Sequence, residues 1–230
     1  MDRFDTLLQD LASEHPNDCW ITRYQALYEF DDEQYIRNQL SIYKDAINSL
    51  DEIAWKALSG KIKKLFKQND PLRGKQQFFN QLNEALAYKF LKNCGYSNIV
   101  FISEGREKTP DIKFEQDKYK GLCEVKTINK SKEEYDRVET YDSSEYANLG
   151  EGFINKFKYH IDNALEKMPD PDLRKLVYLI VHFDDVLLSF FSVYEEQILS
   201  LIKEKYPSLE IFIQVGLVGN RYIHYVPNNS

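Results

Sequence analysis

The chain has 230 residues, of which 43% are hydrophobic and 14% aromatic, enough for one large domain or a core domain with an attachment, and too apolar for wholesale disorder. No stretch approaches 18 uncharged apolar residues, so no transmembrane helix is expected, and the opening MDRFDTLLQDLASEHPNDCW lacks the basic flank and apolar run of a secretory signal. The net charge of −7 is unevenly spread: residues 1–55 carry −8, residues 56–130 carry +8, and residues 131–230 carry −7. A positive middle between acidic ends is a field a polyanion could use, although lysines also solvate surface helices.

Residues 1–68 read as helices. Phe4, Leu7, Leu8 and Leu11 recur at helical spacing, as do Ile36, Leu40, Tyr43 and Ile47. His15-Pro16-Asn17-Asp18 interrupts the first pattern, and Asp51 is placed to cap a helix carrying Trp55, Leu58, Ile62 and Leu65. Asn69-Asp70-Pro71 with Gly74 marks a break, which divides the chain into a helical region, 1–70, and a second region, 71–230. Residues 75–93 form a helix ended by Gly95. Strands follow at 99–102, 111–115 and 120–128, with Gln116-Asp117 at the turn between the last two. The polar stretch 129–150 has no apolar period and is expected to be a mobile loop or an unrecognised element.

A helix over 152–168 places Phe153, Phe157, Ile161 and Leu165 on one stripe. The run LVYLIVHF, 176–183, has the pattern of a strand buried on both faces. A helix at 193–206 and strands at 211–217 and 222–226 close the chain. The order indicates an α/β fold, a mixed β-sheet core flanked by helices, with an N-terminal helical extension. Cys19, Cys94 and Cys123 are too few and too scattered for a disulfide framework or a zinc site. They are expected as buried reduced thiols of a cytoplasmic protein.

The segment TPDIKFEQDKYKGLCEVKTI holds the chemistry. Alternation along a strand puts Glu124 and Lys126 on one face with Val125 opposite, and a hairpin can bring Asp111 beside them. Two carboxylates and an ammonium would then converge, an oxygen donor set that suits Mg²⁺ or Mn²⁺. The alternative is a surface hairpin with an exposed Glu–Lys pair, which Leu122, Cys123 and Val125 make too apolar a setting.

Pro110-Asp111, a gap of twelve residues, then Glu124-Val125-Lys126 resembles the core motif of the PD-(D/E)xK nuclease superfamily, the restriction-endonuclease-like fold. Glu84 with the following ALAYKFLKNCGY resembles the first helix of many such nucleases, and the likeness spans about residues 75–183. It implies metal-dependent hydrolysis of phosphodiester bonds, usually in DNA, with Mg²⁺ or Mn²⁺ as cofactor. Asp111 and Glu124 would be metal ligands, Glu84 would complete the acidic cluster, and Lys126 would be the catalytic lysine. Glu84 could equally be a solvated helix glutamate. Nucleases of this fold often pair, so a homodimer is possible.

Lys61, Lys63, Lys64, Lys67, Lys156 and Lys158 are the candidate contacts to a nucleic-acid backbone, against a reading as solvated helix faces. His182 reads as a core histidine and Asp184-Asp185 as a turn with a helix cap. No GxxxxGK or GxGxxG loop is present, which argues against a nucleotide-driven motor. Two further readings compete with the nuclease: a non-catalytic nucleic-acid-binding or assembly module on the same fold, and a scaffold for an acidic protein-interaction surface at residues 1–55.

Overall fold

The computed structural model describes residues 2–21, 34–68, 74–103, 105, 108–116, 119–129, 149–183, 191–218 and 221–227. The expected break at 69–71, the turn residue Asp117, nearly all of the polar stretch 129–150, and the Asp184-Asp185 cap lie outside the described residues. Among those described, the elements run α1 (Arg3–Glu14), α2 (Gln34–Asn48), α3 (Glu52–Leu65), α4 (Gln76–Asn93), β1 (Ser97–Phe101), β2 (Ile112–Gln116), β3 (Tyr119–Ile128), α5 (Glu151–Lys167), β4 (Arg174–Val181), α6 (Phe191–Lys205), β5 (Glu210–Val215) and β6 (Tyr222–Tyr225). The protein is α/β, with a six-stranded mixed open sheet in the order β1-β2-β3-β4-β5-β6 and helices flanking it. Among the described residues no helix is long and apolar enough to cross a membrane.

The chain divides into two compact units. The first comprises residues 1–103 with 112–118, that is, α1 to α4 and the antiparallel pair β1–β2. Asp51 caps α3 by accepting the Ala54 N–H at 2.8 Å, as its spacing before the apolar stripe predicts. Helix α4 ends with Cys94 as its C-cap, followed by Gly95, whose φ of +83° is the left-handed conformation that glycine tolerates at a helix C′ position. Asn98, with φ +48°, lies where the β1–β2 register shifts between Ser97 and Val100. A single left-handed Asn accommodates such an irregularity at small cost. Helix α4 is buried over most of its circumference, from Gln81 through Tyr88, rather than along one stripe. That explains why its polar residues Asn83 and Glu84 have specific partners, Tyr43 and Lys61.

The second unit comprises residues 104–111 with 119–230. Strand β4 runs parallel to both β3 and β5, and β6 closes antiparallel to β5. Parallel neighbours need crossover connections, and α5 and α6 lie in them. In β4, Leu176 through Val181 are all buried, as the unbroken apolar run requires. Val177, Leu179 and Val181 pack with Ile211, Ile213, Val215 and Ile223 against Phe157, Ile161 and Ala164 of α5 and Tyr194, Ile198 and Ile202 of α6. Register then assigns the neighbouring strand. Glu124 lies opposite Val177, Lys126 opposite Leu179 and Ile128 opposite Val181, so all three share the helix-covered face.

Two expectations from the sequence change. Cys19 and Cys94 are exposed, Cys94 because it sits at the turn that ends α4, and only Cys123 is buried, where desolvation pushes its thiol up. His182 is half-buried just beyond the end of β4 rather than in the core, and its backbone N–H donates to the Ile128 carbonyl at 2.9 Å.

Phe157 is fully buried in the second unit's core. Phe157→Ala should lower unfolding stability by about 3–5 kcal/mol, the usual cost of emptying a buried aromatic site. Tyr159→Ala, two residues along at an exposed position, should stay within about 0.5 kcal/mol of wild type in the same urea titration.

Candidate functional site

Strand β3 sets the geometry. Its alternation turns Glu124 and Lys126 to the same side, and the Lys126 ammonium lies 2.6 Å from Glu124 Oε1. Asp111, just before β2, reaches the same stretch from the other side of the motif, where its Oδ2 accepts the Val125 N–H at 2.8 Å. The structure therefore brings together the three residues of the PD…EVK pattern within the second unit. Their proximity is felt electrostatically. Burial first, and then the Asp111 charge, raise the Glu124 carboxyl from 4.5 to about 7 against the opposing pull of Lys126 and Lys167.

Lys167 is a residue the sequence reading missed. It ends α5, and its ammonium lies 2.5 Å from Glu124 Oε1, the oxygen that Lys126 also holds. A signal was available. Lys156, His160 and Lys167 are four and seven residues apart, one polar stripe on a helix whose other stripe is Phe157–Ile161–Ala164. The stripe follows β3: Lys156 donates to the Asn129 carbonyl at 3.0 Å beyond the strand's end, and Lys167 reaches Glu124. His160 lies between them, half-buried, with its imidazole held below its ordinary value by desolvation and then by Lys126 and Lys156. A neutral imidazole near neutral pH follows. Lys156 is thus anchored to the backbone rather than simply solvated. Lys158, on another side of α5, is half-buried and helps Lys205 lower the Glu204 carboxyl.

The remaining predicted site residues belong to the first unit. Glu84 is buried, so it is not a solvated glutamate, and its Oε1 accepts from Lys61 at 2.7 Å. Lys63 pairs with Asp10 at 2.7 Å and Glu14 at 3.4 Å. Lys64 and Lys67 are exposed. Pairing extends beyond these residues: Lys75 meets Asp18, and Lys89 meets Asp45. Part of the positive middle of the sequence, Lys63, Lys75 and Lys89, is thus matched inside the first unit by carboxylates of the acidic N-terminal segment.

The resemblance implies a divalent cation, and one observation bears on whether these residues fit it. Glu124 Oε2 is buried and has no hydrogen-bond partner among the described residues, while both ammoniums crowd Oε1. A buried carboxylate oxygen left without a donor is costly, and a cation is the ligand that such an oxygen accepts. With Asp111 beside it, the pair of hard oxygen donors fits Mg²⁺ or Mn²⁺. No group of three His, Cys, Asp or Glu side chains suited to a metal occurs among the described residues, so water would supply most of the coordination, as Mg²⁺ commonly allows.

No family model matches the chain, and neither a curated protein nor a solved structure is significantly similar to it.

The Glu124 carboxyl gives a pH signature. Because its folded-state value lies above the ordinary one, the folded chain holds this proton longer. In metal-free buffer the group's contribution to stability therefore falls as pH rises from about 4.5 to about 7, by on the order of 3 kcal/mol, and is level outside that window. Glu124→Gln should remove this decline while still offering an oxygen to the lysines. Urea unfolding from pH 4 to 8 checks it, and an unchanged slope in the variant would show that the proton resides elsewhere.

Proposed function

We propose that the protein is a Mg²⁺- or Mn²⁺-dependent nuclease of the PD-(D/E)xK type, with a restriction-endonuclease-like core, that hydrolyses phosphodiester bonds in DNA. The observation that carries this reading is the buried, partnerless Glu124 Oε2 beside Asp111, with a lysine two residues along the same strand face. The buried Glu210, by contrast, engages both of its oxygens, whereas Glu124 Oε2 has no hydrogen-bond partner among the described residues.

When bound, a divalent cation supplies Lewis acidity toward a phosphate oxygen and acidifies nearby water. Asp111 and Glu124 would hold it, and both must be ionised to do so. The Val125 N–H fixes the Asp111 carboxylate and thereby its angle to the strand. Lys126, with its side chain about 20% exposed, can donate to an anionic phosphate oxygen or orient an attacking water from the Glu124 side. The sheet and α5 exclude bulk water from Glu124, which strengthens each of these interactions. Glu84 is not part of this reading, since it serves an ion pair inside the first unit.

Asp111→Asn is the decisive variant. It keeps an acceptor for the Val125 N–H and removes the charge, so the fold should survive and cation-dependent cleavage should be lost. Relief of the repulsion on Glu124 should leave thermal stability in EDTA equal or higher. Lys126→Ala should cost about 10²-fold or more in rate, the scale of one positioned electrostatic or proton-transfer group. The assay is cleavage of single- and double-stranded DNA and RNA with Mg²⁺ or Mn²⁺ beside an EDTA control. Equal cleavage by wild type and Asp111→Asn would overturn the assignment. Salt-dependent binding of DNA without cleavage by wild type would favour the non-catalytic module instead.

A further inference from the structure

The cation and the phosphate that this reaction needs would enter a site where, among the four described residues Asp111, Glu124, Lys126 and Lys167, the charges already balance. Asp111 and Glu124 bring two negative charges when ionised, and Lys126 and Lys167 bring two positive ones. The two ammonium nitrogens lie 2.6 and 2.5 Å from the same Glu124 oxygen, which puts them within about 5 Å of each other. Like charges that close persist because the carboxylate lies between them. A cation arriving alone meets two ammoniums, and an anion arriving alone meets two carboxylates. Arriving together, they leave the balance nearly unchanged. The side chains also differ in exposure: Glu124 is 1% exposed, whereas Lys167, on the last turn of α5, is 24% exposed.

We propose, building on the nuclease reading, that Lys167 is a phosphate-binding residue of this site and that it makes the binding of the divalent cation and of the phosphodiester mutually dependent. In the free protein its ammonium occupies Glu124 Oε1 and opposes a cation. A phosphodiester oxygen draws the ammonium away and frees that oxygen for the cation. Each ligand then raises the affinity for the other by the same factor, as linkage requires. Lys126 cannot take this part alone, because its strand position holds its stem beside Glu124, whereas Lys167 comes from a different element and can leave without disturbing β3.

The test is isothermal titration calorimetry of the full chain at pH 8 with Ca²⁺ or Mn²⁺ alone, with a 12-base-pair DNA duplex alone, and with cation and duplex together. Wild type should bind Ca²⁺ about tenfold or more tightly when the duplex is present, within the usual range of coupling between two sites. Lys167→Gln should bind Ca²⁺ alone at least as tightly as wild type, bind the duplex more weakly, and lose most of the coupling. Lys167→Arg keeps the charge and should keep the coupling to within about threefold, which also covers the case in which the glutamine variant does not fold. Lys203→Gln, an exposed charge change on α6, should leave the coupling as it is. A purely structural lysine would lower the melting temperature of Lys167→Gln and leave its coupling equal to that of wild type. That result overturns the role of Lys167 while the nuclease reading stands. If wild type binds neither Ca²⁺ nor Mn²⁺, with or without the duplex, the nuclease reading itself falls, and the inference with it.

Discussion

A carboxylate within a sheet face built for apolar side chains needs compensation, because burial penalises its charge by several kcal/mol. Glu124 occupies such a place, opposite Val177 in the β3–β4 register and on the face that α5 covers. Its compensation comes from two directions: Lys126 from its own strand and Lys167 from the end of the helix. The position of α5 and the ionisation of Glu124 are therefore linked. The helix must lie along β3 with its polar stripe toward the strand and its Phe157–Ile161–Ala164 stripe toward β4, and the split between the two stripes achieves both.

That arrangement explains which parts of the molecule were legible in the sequence. The α5 stripe, the capped α3 and the apolar run of β4 follow from local periodicity, since each rests on residues a few positions apart. Asp111, Glu124 and Lys126 were legible for the same reason: strand alternation and hairpin spacing are short-range rules. Lys167 lies 43 residues from Glu124, and no local rule pairs them. The charge pattern is subject to the same limit. By segment, residues 56–130 look like a positive surface, but Lys63 meets Asp10 across 53 residues and Lys75 meets Asp18 across 57. Net charge per segment is blind to pairings that the fold creates. Glu84 fell between the two cases. The sequence left it open as a site residue or a solvated helix glutamate, but α4 is packed nearly all round, so Glu84 is buried and pairs with Lys61.

The second unit holds another buried carboxylate, which serves as an internal control. Glu210 begins β5 and is almost as inaccessible as Glu124. Among the described residues it meets Arg174 and His224, and it divides them between its oxygens. Oε2 takes the Arg174 guanidinium at 2.9 Å from Nε and 2.7 Å from Nη2, and Oε1 faces His224 Nε2 at 3.0 Å. Both oxygens are engaged, and three strands, β4, β5 and β6, are tied together at one end. This is how a buried acid is arranged when its task is to hold strands in place.

Glu124 departs from that pattern in the respect that matters for chemistry. It has two ammonium partners, yet both converge on one oxygen, and the other is buried with no hydrogen-bond partner among the described residues. Packing density alone does not force this, because Lys126 and Lys167 approach from different elements and could have divided the two oxygens between them. Asp111, drawn in by the Val125 N–H, adds a second negative charge where a purely structural site would avoid one, and the raised Glu124 carboxyl registers the strain. Crowded cations, a bare oxygen and a neighbouring carboxylate are each unfavourable in the free protein. Under the proposed function all three would become favourable together, with a divalent cation and an anion sharing the site. The fold thus carries at Glu124 a cost that it resolves fully at Glu210, and that contrast between two buried acids of one sheet is what supports a ligand at the first position.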